Sequence, residues 1–81
     1  MKDWYVYILK GSNGVFYKGF TNNLEKRLHQ HELGQNETTR IMKSFSLVHV
    51  EVCNTRIEAR KLEKFLKTGF GREIIKELFN K

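Results

Sequence analysis

The sequence has no proline, a single cysteine and a single tryptophan, and its longest apolar run is Trp4-Tyr5-Val6-Tyr7-Ile8-Leu9. One cysteine, Cys53, excludes an intrachain disulfide and a thiolate metal cluster. The apolar run is far too short for the hydrophobic segment of a secretory signal or for a membrane span. The expectation is a cytoplasmic protein with no membrane partner. Repeats, low-complexity tracts and proline-rich linkers are also missing, so residues 1–81 read as a single domain. The histidines His29 and His49, even with Glu63, lack a zinc-ligand spacing and read as structural.

What is present is enough for a small globule. Hydrophobic residues make up 40% and aromatic residues 12% of the chain, which argues against disorder. A chain of this size buries about 60% of its unfolded surface, so a functional site belongs on a face and not in a deep cavity. The formal net charge is +6. That excess favours a polyanionic partner, nucleic acid first, although a merely soluble basic surface would look the same. The excess is uneven. Residues 56–81 hold eight basic and four acidic side chains, most of the phosphate-attracting charge.

The first apolar run has both alternating faces apolar, which suits a strand buried on both sides and central in its sheet. Turn chemistry follows at Lys10-Gly11-Ser12-Asn13-Gly14, and residues 15–20 form a second strand, completing a hairpin. A two-residue Asn13-Gly14 turn would put Tyr7 and Tyr17 on opposite faces. A longer loop pairing Leu9 with Val15 puts Tyr7 across from Tyr17 on one face, and this register is the expected one. Thr21-Asn22-Asn23 supplies cap residues for a helix reaching Leu33, with Gly34 just past its end. Leu24 and Leu28 mark its buried stripe. Arg27 and His31 fall at the edge of that stripe as i,i+4 neighbours, which predicts an anionic group between them. Residues 35–43 read as a loop with room for one short turn of helix. Residues 45–52 form a third strand, with Val48, Val50 and Val52 on its buried face. Asn54-Thr55 caps a helix over residues 56–68 with an apolar arc of Ala59, Leu62 and Leu66. Gly69-Phe70-Gly71 ends it, and residues 72–79 make a last helix anchored by Ile74, Ile75, Leu78 and Phe79.

One acid is out of place. Glu63 falls between Ala59 and Leu66, inside the apolar arc. It can form an i,i+4 pair with Lys67 or serve a site. Tyr7, Tyr17, Arg27, His31 and Glu63 together cover the parts of phosphodiester hydrolysis. Arginine presents a fork to phosphate oxygens. A single carboxylate can anchor Mg²⁺ when water and substrate complete its shell. Tyrosine or histidine can relay the proton of an attacking water.

The blocks Tyr5-Val6-Tyr7-Ile8-Leu9, Tyr17-Lys18-Gly19-Phe20-Thr21-Asn22, Leu24-Glu25-Lys26-Arg27-Leu28 with His31, and Glu58-Ala59 with Leu62-Glu63-Lys64-Phe65-Leu66-Lys67 resemble the GIY-YIG nuclease superfamily across nearly the whole chain. The resemblance is to short stand-alone bacterial members related to the N-terminal domain of the excision-repair nuclease UvrC. It implies an α+β fold: a three-stranded antiparallel sheet flanked by helices, in the order β-β-α-β-α-α. It also implies metal-dependent cleavage of DNA, with Mg²⁺ (or Mn²⁺) as cofactor and a setting in DNA repair or recombination. The signature tyrosines fall on Tyr7 and Tyr17, the family arginine on Arg27, the following His or Tyr on His31, and the metal-binding glutamate on Glu63. The chain departs from the pattern at Tyr5, where the name-giving glycine stands, and at Lys18, usually apolar. It departs again at Phe20, a lysine in UvrC-type domains. Asn80 is the candidate for an asparagine that some members use.

Two readings follow: an endonuclease acting on DNA, or a nucleic-acid-binding module that kept the scaffold without useful catalysis. With no appended recognition domain expected, specificity would come from DNA structure, from a homodimer or from a partner protein.

Overall fold

The computed structural model describes residues 3–42 and 44–79. Asn80 lies outside them. The elements run β1 (Trp4–Gly11), β2 (Phe16–Thr21), α1 (Leu24–Glu32), α2 (Glu37–Met42), β3 (Phe45–Cys53), α3 (Arg56–Leu66) and α4 (Gly69–Phe79). The three strands form one antiparallel sheet in the order β2-β1-β3, flanked by helices on both faces. The short α2 occupies the segment expected as a loop. Among the described residues no helix is long and apolar enough to cross a membrane.

β1 is central for the reason its composition suggests. Val6, Tyr7, Ile8 and Leu9 are successive residues and all are buried, so neither face of the strand meets water. Each of the aliphatic side chains among them contributes about 1.5–3 kcal/mol by leaving water. Val6 faces α3, where it packs with Cys53 and Ala59 under Trp4, Phe20, Leu62 and Leu66. Tyr7 faces the other way, toward α1. α1 and α3 therefore cover opposite faces of the sheet. Arg56 lies over the rings of Trp4 and Phe20, 5.9 and 5.8 Å from their centroids. Phe20, at the position of the UvrC-type lysine, is thus a packing residue on the α3 face.

The hairpin register differs from expectation by two residues. Tyr7 pairs with Gly19, and Leu9 pairs with Tyr17. The loop is Ser12-Asn13-Gly14, closed by Gly11 N–H to Val15 C=O at 2.8 Å. Gly14 sits at φ +84°, a conformation that L side chains avoid, so glycine fixes the turn here. Because the shift is even, the two tyrosines still share a face, as diagonal neighbours with ring centroids 6.1 Å apart.

β3 breaks the expected alternation. Its register slips between Ile8, opposite His49, and Leu9, opposite Leu47, leaving Val48 in a bulge. β3 is an edge strand, and α1 packs toward the tyrosines of β1 and β2, so Val52 stays 59% exposed. α3 ends at Leu66, and Gly69-Phe70-Gly71 begins α4 instead of separating the helices. The Thr68 hydroxyl accepts from Gly71 N–H at 3.1 Å, capping the new helix. A Cβ on Gly71 would run into the Phe65 carbonyl and lie 2.7 Å from Leu66 Cα, so glycine permits the tight corner. Ile75 is buried as expected, whereas Leu78 is largely exposed.

Candidate functional site

Four side chains converge on the face of the sheet that α1 covers. β1 supplies Tyr7 and β2 supplies Tyr17. α1, capped by Asn23, whose side chain accepts from Lys26 N–H, supplies Arg27 and His31 one turn apart. Tyr7 fits beneath them because its cross-strand partner is Gly19. A Cβ at Gly19 would stand 2.6 Å from the Tyr7 hydroxyl oxygen and 3.0 Å from Tyr17 Cε1. The glycine of the second signature thus provides the space in which the phenol lies.

His31 departs from its expected place at the edge of the α1 stripe. It is 2% exposed, the buried residue of α1, while Leu24 and Leu28 are half-buried. Its ring lies 4.8 Å from that of Tyr17 and 5.7 Å from that of Tyr7, both nearly edge-on. The hydroxyl of Tyr7 lies between Arg27 and His31. Arg27 Nε donates to Tyr7 Oη at 3.2 Å, and Tyr7 Oη lies 2.8 Å from His31 Nε2. Arg27 Nη1 donates to Gln30 Oε1 at 3.3 Å.

Two residues from the segment expected as a loop complete the arrangement. Thr39, 2% exposed, holds His31 Nδ1 at 3.0 Å through its hydroxyl. Where that hydroxyl donates to the Asn36 carbonyl at 3.2 Å, it acts as an acceptor toward His31 and calls for the ring proton on Nδ1. Nε2 of a neutral His31 is then bare and accepts from Tyr7 O–H. Asn36 Nδ2 donates to the Tyr17 hydroxyl at 3.2 Å, and Asn36 Oδ1 accepts from Thr39 N–H at 3.4 Å. Asn36 and Thr39 carried a signal in the sequence, an Asn-x-x-Thr cap before a short helix, but nothing local ties them to the tyrosines.

The electrostatics favour a neutral imidazole and a protonated phenol. Burial keeps His31 below the usual histidine range, and the Arg27 charge pushes the same way, so the imidazole is neutral at pH 7. Burial raises Tyr7 to about 12, against the opposing pull of the Arg27 hydrogen bond, so its phenol stays protonated. Arg27 is held more firmly cationic, first by Tyr7 and also by Tyr17, with burial opposing. Tyr7 is fully buried, whereas Tyr17 and Arg27 are half-buried, so these two are the members that reach solvent.

Glu63 stands on α3. Its carboxylate bonds Lys67 Nζ at 2.6 Å, the i,i+4 pair that its sequence spacing allows. The Glu63 side chain is only 13% exposed, and that of Lys67 is 53% exposed. α3 packs against the opposite sheet face, so Glu63 can meet the tyrosines only around an edge of the sheet. The Lys67 charge acts on Lys18 of β2, which places this end of α3 beside the β2 edge. Among the described residues, no three His, Cys, Asp or Glu side chains come close enough to hold an ion. A lone carboxylate suits only a hard cation whose remaining ligands are water and substrate oxygens, as Mg²⁺ accepts. His49 bonds Glu51 at 2.9 Å and lies tilted against the Phe79 ring.

Comparison with known proteins assigns the family. A UPF0213 protein of Staphylococcus saprophyticus is 38% identical over 74 residues, covering 90% of this chain and 89% of its own. A UPF0213 protein of Nitratidesulfovibrio vulgaris is 38% identical over 65 residues, of which the match spans 79% of this chain and 59% of the relative. The NMR solution structure of a UPF0213 protein from Bacillus halodurans superposes with a TM-score of 0.59 at 29% identity, over 95% of this chain and 85% of that one. The profile of the GIY-YIG catalytic domain matches residues 3–76, and the chain belongs to the GIY-YIG family of nucleases.

Proposed function

We propose that this protein is a metal-dependent endonuclease that hydrolyses phosphodiester bonds of DNA. The observation that carries the reading is the hydrogen-bonded chain from Arg27 through the Tyr7 hydroxyl to Nε2 of the buried His31; we take Nε2 as the bare, accepting nitrogen. A proton acceptor held beside two phenols and a guanidinium is what a hydrolytic site needs.

Tyr17, the accessible phenol, positions the attacking water. As water adds to phosphorus and the bond to the departing sugar oxygen breaks, the water's proton passes by Tyr17 and Tyr7 to His31 Nε2. His31 becomes an imidazolium whose Nδ1–H stays on Thr39, and Arg27 stabilises phenoxide character on Tyr7 and negative charge on the phosphate. Asn36 holds the Tyr17 hydroxyl during this transfer. Glu63 would hold Mg²⁺ (or Mn²⁺), which when bound supplies charge neutralisation at the phosphate and at the leaving oxygen. For that, Lys67 must release the carboxylate. Lys67 is 53% exposed and Glu63 13%, so it is the lysine end of the pair that water or an incoming phosphate can reach.

The setting proposed is DNA repair or recombination in the cytoplasm, with specificity drawn from DNA structure, a second copy or a partner protein. The test is nicking of closed-circular and branched DNA by purified protein with Mg²⁺ or Mn²⁺. Nicking should be lost in Glu63→Ala and Arg27→Ala. The Glu63–Lys67 bond favours the second reading, a binding module without useful catalysis. Salt-sensitive binding with no cleavage under either metal would select it.

A further inference from the structure

On the sheet face opposite the tyrosines, a cleft of about 280 Å³ opens between β2 and α4. Its lining joins the apolar Val15, Phe16 and Ile75 to three cations, Lys18, Arg72 and Lys76, and contains no acid. Among the described residues the ion pairs are His49–Glu51 and Glu63–Lys67, so no carboxylate neutralises these three. Lys18 is the residue that replaces an apolar one in the second signature. It is half-buried, and its ammonium is disfavoured by burial and then by the Arg72 and Lys67 charges. An apolar side chain here would meet neither the burial penalty of a charge nor the repulsion of the two cations. A lysine held here against its own solvation and against two like charges stabilises nothing within the chain, and an anion would relieve it.

We infer that the cleft formed by Lys18, Arg72 and Lys76 binds a backbone phosphate of the DNA, away from the phosphate that is cut. The connection to the site is the strand itself. β2 is an edge strand, and Tyr17 and Lys18 are neighbours pointing to its opposite faces. A nucleic acid laid over that edge meets the Tyr17 and Arg27 side on one face and the cationic cleft on the other. This rests on the reading of the protein as a DNA-acting enzyme, and it assigns to Lys18 and Arg72 a grip on the polymer instead of a part in the chemistry.

The experiment is fluorescence anisotropy of a short duplex with the full chain in EDTA, so that nothing is cut, over roughly 50 to 200 mM salt. The double variant Lys18→Gln with Arg72→Gln should bind about tenfold more weakly at the low-salt end, and the slope of log affinity against log salt should fall by about one unit. Lys76→Gln, at an exposed position, should lower the slope in the same direction and serves if the double variant fails to fold. Wild-type affinity and slope in these variants would overturn the inference. So would an equal loss in the charge-matched control Lys61→Gln with Lys64→Gln, which sits elsewhere on α3. Nicking by wild type together with unaltered binding in the variants removes the cleft and leaves the nuclease reading standing. Slope loss in the variants with no nicking by wild type does the reverse.

Discussion

Replacing Gly19 by alanine tests the packing on which the site depends. An added Cβ would lie 2.6 Å from the Tyr7 hydroxyl oxygen and 2.8 Å from its Cζ. Ordinary contact requires 3.4 Å or more, so the hydroxyl must retreat by most of an ångström. Tyr7 is fully buried, with no space to move into, and its hydroxyl is held at 2.8 Å by His31 and 3.2 Å by Arg27. Overpacking costs about 1–3 kcal/mol, and spoiling these hydrogen bonds about 1–3 kcal/mol more, so the expected loss is about 2–6 kcal/mol. A chain of 81 residues has a total stability of about 4–12 kcal/mol, so the loss is a large share of it. The assay is urea unfolding with the slope checked for constancy. The sign is decisive. With no clash, alanine in place of glycine should stabilise by about 0.4–1 kcal/mol through the unfolded chain. A variant as stable as wild type, or more so, refutes the packing argument.

The remaining predictions concern the hydrogen-bond chain and the metal. Thr39→Val leaves the His31 Nδ1–H without its acceptor and should cost about 1–3 kcal/mol, with cleavage reduced; Thr39→Ser should restore both, and failure of that rescue would show that shape alone matters. His31 has a folded pKa below its unfolded value, so below about pH 6.5 the unfolded chain binds more protons and stability falls with acidification. The His31 contribution is complete above that pH and is lost as pH drops through the folded pKa. In His31→Gln the unfolding midpoint should vary less between about pH 5 and 7, and an unchanged pH dependence would count against a buried neutral imidazole. Lys67→Met frees the Glu63 carboxylate and should lower the Mg²⁺ concentration needed for half-maximal nicking several-fold. A higher requirement would mean that Lys67 assists the metal site. In a spectrophotometric titration of the tyrosines, Tyr7→Phe should remove the phenol that ionises near 12, and loss of an earlier-titrating group instead would contradict its assignment.

Much of the fold was legible because it rests on local signals. Both faces of residues 4–9 are apolar, and β1 is central. Asn23 and Thr55 cap the helices that their side chains announce. The signatures place Tyr7, Tyr17, Arg27 and His31 in one neighbourhood, which the side-chain contacts reproduce. Other features depended on information that no short window holds. The hairpin register turned on whether three or more loop residues separate the strands, and two glycines in that stretch allowed either. The depth of His31 in the protein came from where α1 lands on the sheet, which helical angles alone cannot supply. Thr39 and Asn36 sit in a polar segment with no periodicity, and their link to His31 and Tyr17 is tertiary. Glu63 shows the opposite case: its in-arc position suggested a site, and the local alternative, a bond to Lys67, is the contact that forms.

The account turns on the direction of one hydrogen bond, from the Tyr7 hydroxyl to a bare His31 Nε2. Nitrogen NMR of the imidazole in the folded protein near neutral pH reads that direction without an activity assay. The account predicts a neutral ring with the proton on Nδ1, held by Thr39, and Nε2 unprotonated until the solution falls below the usual histidine range. A proton on Nε2, or a His31 already charged at pH 7, would contradict it.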